Sequence, residues 1–221
     1  MWNPKRAKQV ATVGMEDKKA FTLVPTISAS SELLPMQAIF VGQTSASCPS
    51  KVSAGYDKAN ALGFKFELSK SGTYWSTQAT MKSLVNDTIA PYFDRKKKEL
   101  GLPKTKYSLW TIDCWSVHKS EEFRSWMKKE HSDIIISFGP GGCTGIEQPL
   151  NVGIQWILKK SLKLSAHKDI VTKTTTQLDS RTPAAALKLD TTLGTLRNRS
   201  VQWLFNACHD INNRNLILKV R

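Results

Sequence analysis

Apolar and polar positions alternate over residues 8–14 (KQVATVG), enough for a short strand, before a charged turn, MEDKKA. Two β-rich runs follow, 21–30 (FTLVPTISAS) and 36–42 (MQAIFVG), separated by SELLP. That arrangement predicts an antiparallel pair, with Pro25 interrupting the hydrogen-bonding pattern of the first run. Residues 44–75 are rich in Ser, Gly and Lys, carry no clear period and read as an irregular connection. From Ser76 to Leu100 the apolar positions Met81, Leu84, Val85, Ile89, Tyr92 and Phe93 form a helical stripe that Pro91 should kink or split. The run RKKK at 95–98 ends that helix and reads as a solvated, dipole-favoured face rather than a nuclear address.

The next stretch changes period. YSLWTI (107–112) reads as a strand, and SEEFRSWMKKE (120–130) as a helix with Phe123, Trp126 and Met127 on one side. DIIISF (133–138) then has the composition of a strand covered on both faces. Strand, helix and strand at this spacing predict a βαβ unit and a parallel pair. GPGGCTG breaks the chain, and PLNVGIQWILKKSLKL restarts it as a helix with Pro149 near its first turn. Residues 165–195 are Thr-rich and weakly periodic and read as a linker with room for one short helix. A last helix places Leu196, Val201, Leu204, Phe205, Cys208 and Ile211 on one side. The expected organisation is one α/β domain: a core over 1–164, a connection over 165–195 and a closing helix within 196–221.

Charge is the strongest global feature. The chain has 221 residues, 32 Lys and Arg against 18 Asp and Glu, a net charge of +14 and 40% hydrophobic content. Such a balance points to a polyanionic partner, nucleic acid first of all, with a merely soluble basic protein as the plainer reading. From Asn151 onward there are 12 basic and 4 acidic side chains, so more than half of the excess lies in the C-terminal third. Lys159, Lys160 and Lys163 on the helix after Pro149, with Arg197 and Arg199 on the last helix, are the candidates for phosphate contacts. No apolar run approaches the roughly 20 residues that span a bilayer, and the start, MWNPKRAKQV, lacks the apolar block of a secretory signal, so a soluble intracellular protein is expected. Cys48, Cys114, Cys143 and Cys208 lie far apart, without metal-ligand spacing, and are expected to be reduced and mostly buried.

Asp113, at the end of a predicted strand, is the candidate catalytic residue. An acid there either holds a divalent cation or caps the following turn, and the residue alone leaves both open. GPGGCTG lacks the Gly-Lys-Ser/Thr end of a phosphate-binding loop, which makes it a weak nucleotide site. Cys143 with His118 as thiol and base is a weaker idea than a buried structural cysteine. His131 and His209, near helix ends, read as surface histidines. Trp126, Trp156 and Trp203 read as core, whereas Trp75 and Trp115 lie in loops, where an indole can stack on a base.

The ordered series D-x-W-S-V-H, C-T-G and Q-P-L-x-V-G within residues 110–163 resembles the catalytic core of pogo-like DDE transposases, the mariner-type DDE superfamily endonucleases, and their fungal branch in particular. Residues 8–44, 72–93 and the last helix resemble the same domain, so the resemblance covers most of the chain. It implies a ribonuclease H-like fold, a mixed sheet flanked by helices, with metal-dependent cutting and joining of DNA ends in the nucleus. Three acids would hold Mg²⁺ or Mn²⁺: one on the first strand, one at the strand carrying Asp113 and one just after Gln-Pro. Asp113 matches the second, while His118 and Gln148 match residues near the site.

The departures from that pattern are specific. The third acid position is occupied by Asn151, whose amide oxygen can touch a cation but brings no negative charge. The first acid belongs to a strand ahead of residues 8–14, where this chain starts at Met1, so the first strand and its acid are expected to be absent. The family's N-terminal helix-turn-helix region is expected to be absent with them. Two strand edges should then lack a partner, and Glu147 stands on a loop rather than at the matching place. The expectation is a transposase-derived domain that binds DNA without catalysing transposition. An active endonuclease completed by other ligands or a partner chain, and a non-enzymatic protein-interaction scaffold, are the competing readings.

Overall fold

Strand β2 (Gln37–Phe40) is buried along its whole length and organises one half of the molecule. The structure, a computed structural model, describes residues 21–139 and 150–219. β1 (Phe21–Val24) lies antiparallel to β2, with Phe21 opposite Phe40 and Val24 opposite Gln37, as the sequence predicts. Pro25 sits just beyond the last β1 residue, where a missing N–H costs the ladder nothing. The hairpin resumes at an Ile27–Leu33 bridge and closes through Ser28 N–H to Glu32 O at 2.9 Å.

The segment read as an irregular connection contains two elements. α1 (Tyr56–Ala61) ends at Gly63, whose φ of +77° and close approach to the Pro35 ring, 3.1 Å from where a Cβ would stand, disfavour a side chain. Phe64 N–H and Gly63 N–H bond back to Ala59 O and Asn60 O, the double closure that ends many helices at a left-handed glycine. The turn feeds β3 (Lys65–Leu68), which pairs parallel with β2, Gln37 opposite Lys65. Phe66 and Leu68 point to one core and Lys65 and Glu67 away from it, an alternation too short to stand out in sequence.

The kinked helix appears as α2 (Gln78–Leu84) and α3 (Ala90–Glu99), joined by a π-helical turn, Val85–Ile89. Pro91 supplies no N–H to the turn before it. The helix widens there, and Ala90 N–H reaches Val85 O, five residues back. Thr77 and Thr80 cap the start of α2 reciprocally. Of the basic run that ends α3, Lys97 is buried and paired with Asp133, with Lys104 O at 3.0 Å, so that run is not wholly a solvated face.

β4 (Ser108–Ile112) and β5 (Ile134–Phe138) form the predicted parallel pair, joined through α4 (Ser116–Lys119) and α5 (Glu121–Glu130). Ser120 caps α5 by accepting from Phe123 N–H at 3.2 Å. Among the described residues the pair is covered on one face only. Trp110 and Ile134 are buried under α2 and α5, while Leu109 is 63% and Ile135 48% exposed on the open side.

A helix runs from Gln155 to Asp179 (α6), preceded by a π turn at Leu150–Ile154. It crosses the expected boundary at 164/165 and confines the connection to residues 180–192. Its second half escapes periodicity analysis because Ile170, Val171 and Leu178 face outward. Arg199 of α7 (Leu193–Ile211) pairs with Asp169 in that second half, and the first half is tied to α7 by Ser161 Oγ to Asp210 at 2.5 Å and Asn206 Nδ2 to Ser165 Oγ at 3.2 Å. α7 buries Val201, Leu204, Cys208 and Ile211 as predicted, and α8 (Arg214–Leu218) closes the chain with buried Ile217.

The fold is therefore α/β, with a core on either side of β2. One core joins alternate residues of β2 to α6 and α7; the other joins α2, α5, β4 and β5. A single mixed sheet is not formed among the described residues: the strands divide into β1–β2–β3 and β4–β5. β1 and β4 each have one edge with no strand beside it among the described residues. The strand expected at 8–14 and residues 140–149 lie outside them. Among the described residues no helix is long and apolar enough to cross a membrane.

Candidate functional site

Asp113 follows the last residue of β4, and the chain then turns through Cys114 and Trp115 into α4. One turn of that short helix brings His118 back over the acid. Its Nδ1 donates to Asp113 Oδ1 at 2.7 Å and lies 3.2 Å from the Asp113 carbonyl oxygen. The other ring nitrogen, Nε2, is closed off by Met81 Sδ of α2 at 3.3 Å. His118 is largely buried and Asp113 half-exposed. An imidazole bonded to a carboxylate on one side and packed on a thioether on the other has no nitrogen free to act as a base on a substrate. Its geometry suits holding Asp113 in place.

The hydrogen bond from His118 is the main influence that lowers the Asp113 pKa below its ordinary value of 3.8; the His118 charge and the Trp115 backbone N–H add to it, and burial opposes them. A folded-state pKa below the unfolded one adds stability that is full above pH 3.8 and is lost as pH falls through the folded value. Carbon-13 carboxyl titration should accordingly show Asp113 with a midpoint below 3.8, and His118→Ala should move that midpoint upward, because burial then acts without its counterweight. An unmoved midpoint in the variant would show that His118 is not the cause.

Around the pair the structure gathers groups distant in sequence. Cys114 Sγ donates to Gly139 O at 2.8 Å, tying the ends of β4 and β5 together. Gln78 Nε2 reaches Ser120 Oγ at 2.5 Å, locking the start of α2 to α5. The Trp75 ring, from the loop after β3, stacks on Trp115 with centroids 5.1 Å apart and planes at 27°, and Tyr74 lies 5.4 Å from Trp75. Met81, Gly139 and Gln78 carry no sequence mark of this role; each is at least 26 residues from Asp113 and reaches it only through the fold.

The other expected site residues that the structure describes lie on other elements. Asn151 stands partly buried on the π turn ahead of α6, flanked by Leu150 and Ile154 in the first core. Gln148, Glu147 and Cys143 lie outside the described residues. Lys159, Lys160 and Lys163 are exposed on α6, and Lys160 Nζ sits 5.0 Å from the centre of the Trp156 ring. Trp156 is 66% exposed, not core, while Trp126 and Trp203 are partly buried. Arg197 and Arg199 are committed within the protein. Arg197 donates to Val41 O at 2.7 Å, anchoring α7 beyond the end of β2; the mostly buried Arg199 pairs with Asp169 and packs 5.7 Å from the Trp203 ring. Of the five cations expected to contact phosphate, the three lysines are the exposed ones.

Among the described residues no three His, Cys, Asp or Glu side chains cluster as a metal site would require. Of the described thiols, Cys208 is buried and pushed up to about 11 by that burial, and Cys48 and Cys114 are half-buried. No family model matches the chain, and no curated protein or solved structure does either.

Proposed function

We propose that the chain is a transposase-derived, ribonuclease H-like domain that binds DNA in the nucleus and performs little or no chemistry of its own. The observation that carries this reading is the state of Asp113. It stands at the carboxyl end of a parallel strand, where such an enzyme holds its ions, but its carboxylate is already engaged by His118 and by the Trp115 N–H. The third acid position offers the Asn151 amide in place of a charge. Two divalent ions about 4 Å apart need several carboxylates to offset their charge. Mg²⁺ or Mn²⁺, where the family's chemistry operates, would stabilise the attacking and leaving oxygens; here Asp113 would be its described ligand. The excess of 14 positive charges supports binding by phosphate attraction alone. A second reading, a protein-binding scaffold, draws support from Leu109 and Ile135 on the open face of β4 and β5.

Calorimetric titration with Mn²⁺ tests the proposal. The wild type is expected to show no site-specific binding, and Asn151→Asp to gain some by restoring a carboxylate at the matching position. Saturable binding by the wild type, with DNA cleavage that disappears in Asp113→Ala, would overturn it in favour of an active endonuclease.

A further inference from the structure

We infer that Trp75, seated on Trp115 beside Asp113, is a stacking platform for an unpaired base of single-stranded nucleic acid. The inference rests on the nucleic-acid reading above and specifies its ligand. Trp75 and Trp115 come from loops 40 residues apart and meet nearly face to face at 5.1 Å. Both loops are fastened. Thr22 Oγ1 donates to Tyr74 O at 2.6 Å, Ser71 Oγ donates to Thr73 O at 3.0 Å, and the backbone N–H of Trp115 donates to the Asp113 carboxylate. The indoles are therefore ordered before any ligand arrives, which removes part of the entropy cost of binding.

Even so, Trp75 keeps 49% of its surface exposed. Its neighbours Gly72 and Thr73 are exposed, and Ser71 is partly so. A half-exposed indole, flanked by the Tyr74 ring 5.4 Å away and bordered by small polar residues, suits a thin, flat ligand better than an apolar protein surface, which calls for a contiguous patch of several hundred Å², roughly. The two segments that carry the indoles also carry exposed lysines, Lys70 before Trp75 and Lys119 after Trp115, in a chain of net charge +14. A flat π-face joined to negative charge describes a nucleotide. Asp113 repels phosphate, so the base belongs against Trp75 with the phosphates turned away from that carboxylate. A duplex hides its base faces, which leaves single strands, ends or flipped bases as the ligand.

The test compares binding of a labelled oligothymidylate of about 15 nucleotides and of a duplex of equal length, at one salt concentration, for wild type, Trp75→Ala and Trp75→Phe. Trp75→Ala is expected to weaken oligothymidylate binding roughly 10-fold or more while leaving duplex binding unchanged, and Trp75→Phe to restore most of the loss. Unchanged oligothymidylate binding by Trp75→Ala, or an equal loss on the duplex, would overturn the platform and leave the nucleic-acid reading intact. Failure of the wild type to bind either nucleic acid would overturn both.

Discussion

Phe123→Ala is expected to destabilise the protein by about 3–5 kcal/mol, the usual cost of removing a fully buried aromatic ring and leaving a cavity. Phe123 has no exposed surface. It lies 5.9 Å from Trp126 and 6.3 Å from His118, in the core that joins α2 and α5 to β4 and β5. Domains are stable by only about 5–15 kcal/mol, so this loss is a large part of the total and should lower the melting temperature by roughly 10 °C or more. The same substitution removes the wall behind His118, and the Asp113–His118 hydrogen bond should loosen with it. Trp156→Ala is the control: its ring is 66% exposed, and a change of about 0.5 kcal/mol or less is expected. Urea unfolding of both variants measures the difference, and comparable losses would show that the second core is not where the stability resides.

The elements legible in sequence are those whose pattern is long or strongly composed. The β1–β2 hairpin, the βαβ unit around Asp113, the split at Pro91 and the buried stripe of α7 all follow from local pattern. β3 escapes because four alternating residues, KFEL, are too few to separate from their surroundings. The second half of α6 escapes for the opposite reason: it has no apolar stripe, and Asp169 fastens it through Arg199 on α7, 30 residues away. The open face of β5 was illegible too, since an apolar run such as IIISF states what a strand prefers, not how many helices reach it.

The site was legible in part. Asp113 and His118 are five residues apart, and one helical turn suffices to join them. Met81, which blocks the second imidazole nitrogen, and Trp75, which stacks on Trp115, depend on α2 docking across β4, a contact no local pattern announces. Arg197 and Arg199 show the reverse error. Basic residues on a predicted helix read as solvent-facing, yet the guanidiniums turn inward to Val41 O and Asp169, where their multiple donors hold elements together.

Neutralising the three exposed lysines at the start of α6 should have the largest effect on binding. Lys159, Lys160 and Lys163 lie within five residues on α6, with no acid in the chain from Asn151 until Asp169. If each neutralises one phosphate, three counterions are released on binding duplex DNA, and log K should fall against log salt with a slope of about −2.7 from these lysines alone. That corresponds to a loss of about 40-fold between roughly 50 and 200 mM salt. Changing all three to glutamine should flatten the slope by about 2.7 without lowering stability, because none of the three is buried. The measurement that tests the account most directly is therefore the salt dependence of duplex DNA binding, followed by fluorescence anisotropy, for the wild type and this triple variant. The expected result is saturable, metal-independent binding with a steep negative slope that becomes shallower by about 2.7 in the variant. Absence of binding at low salt, or a slope near zero in the wild type, would contradict it and turn attention to the open face of β4 and β5 as a protein-binding surface.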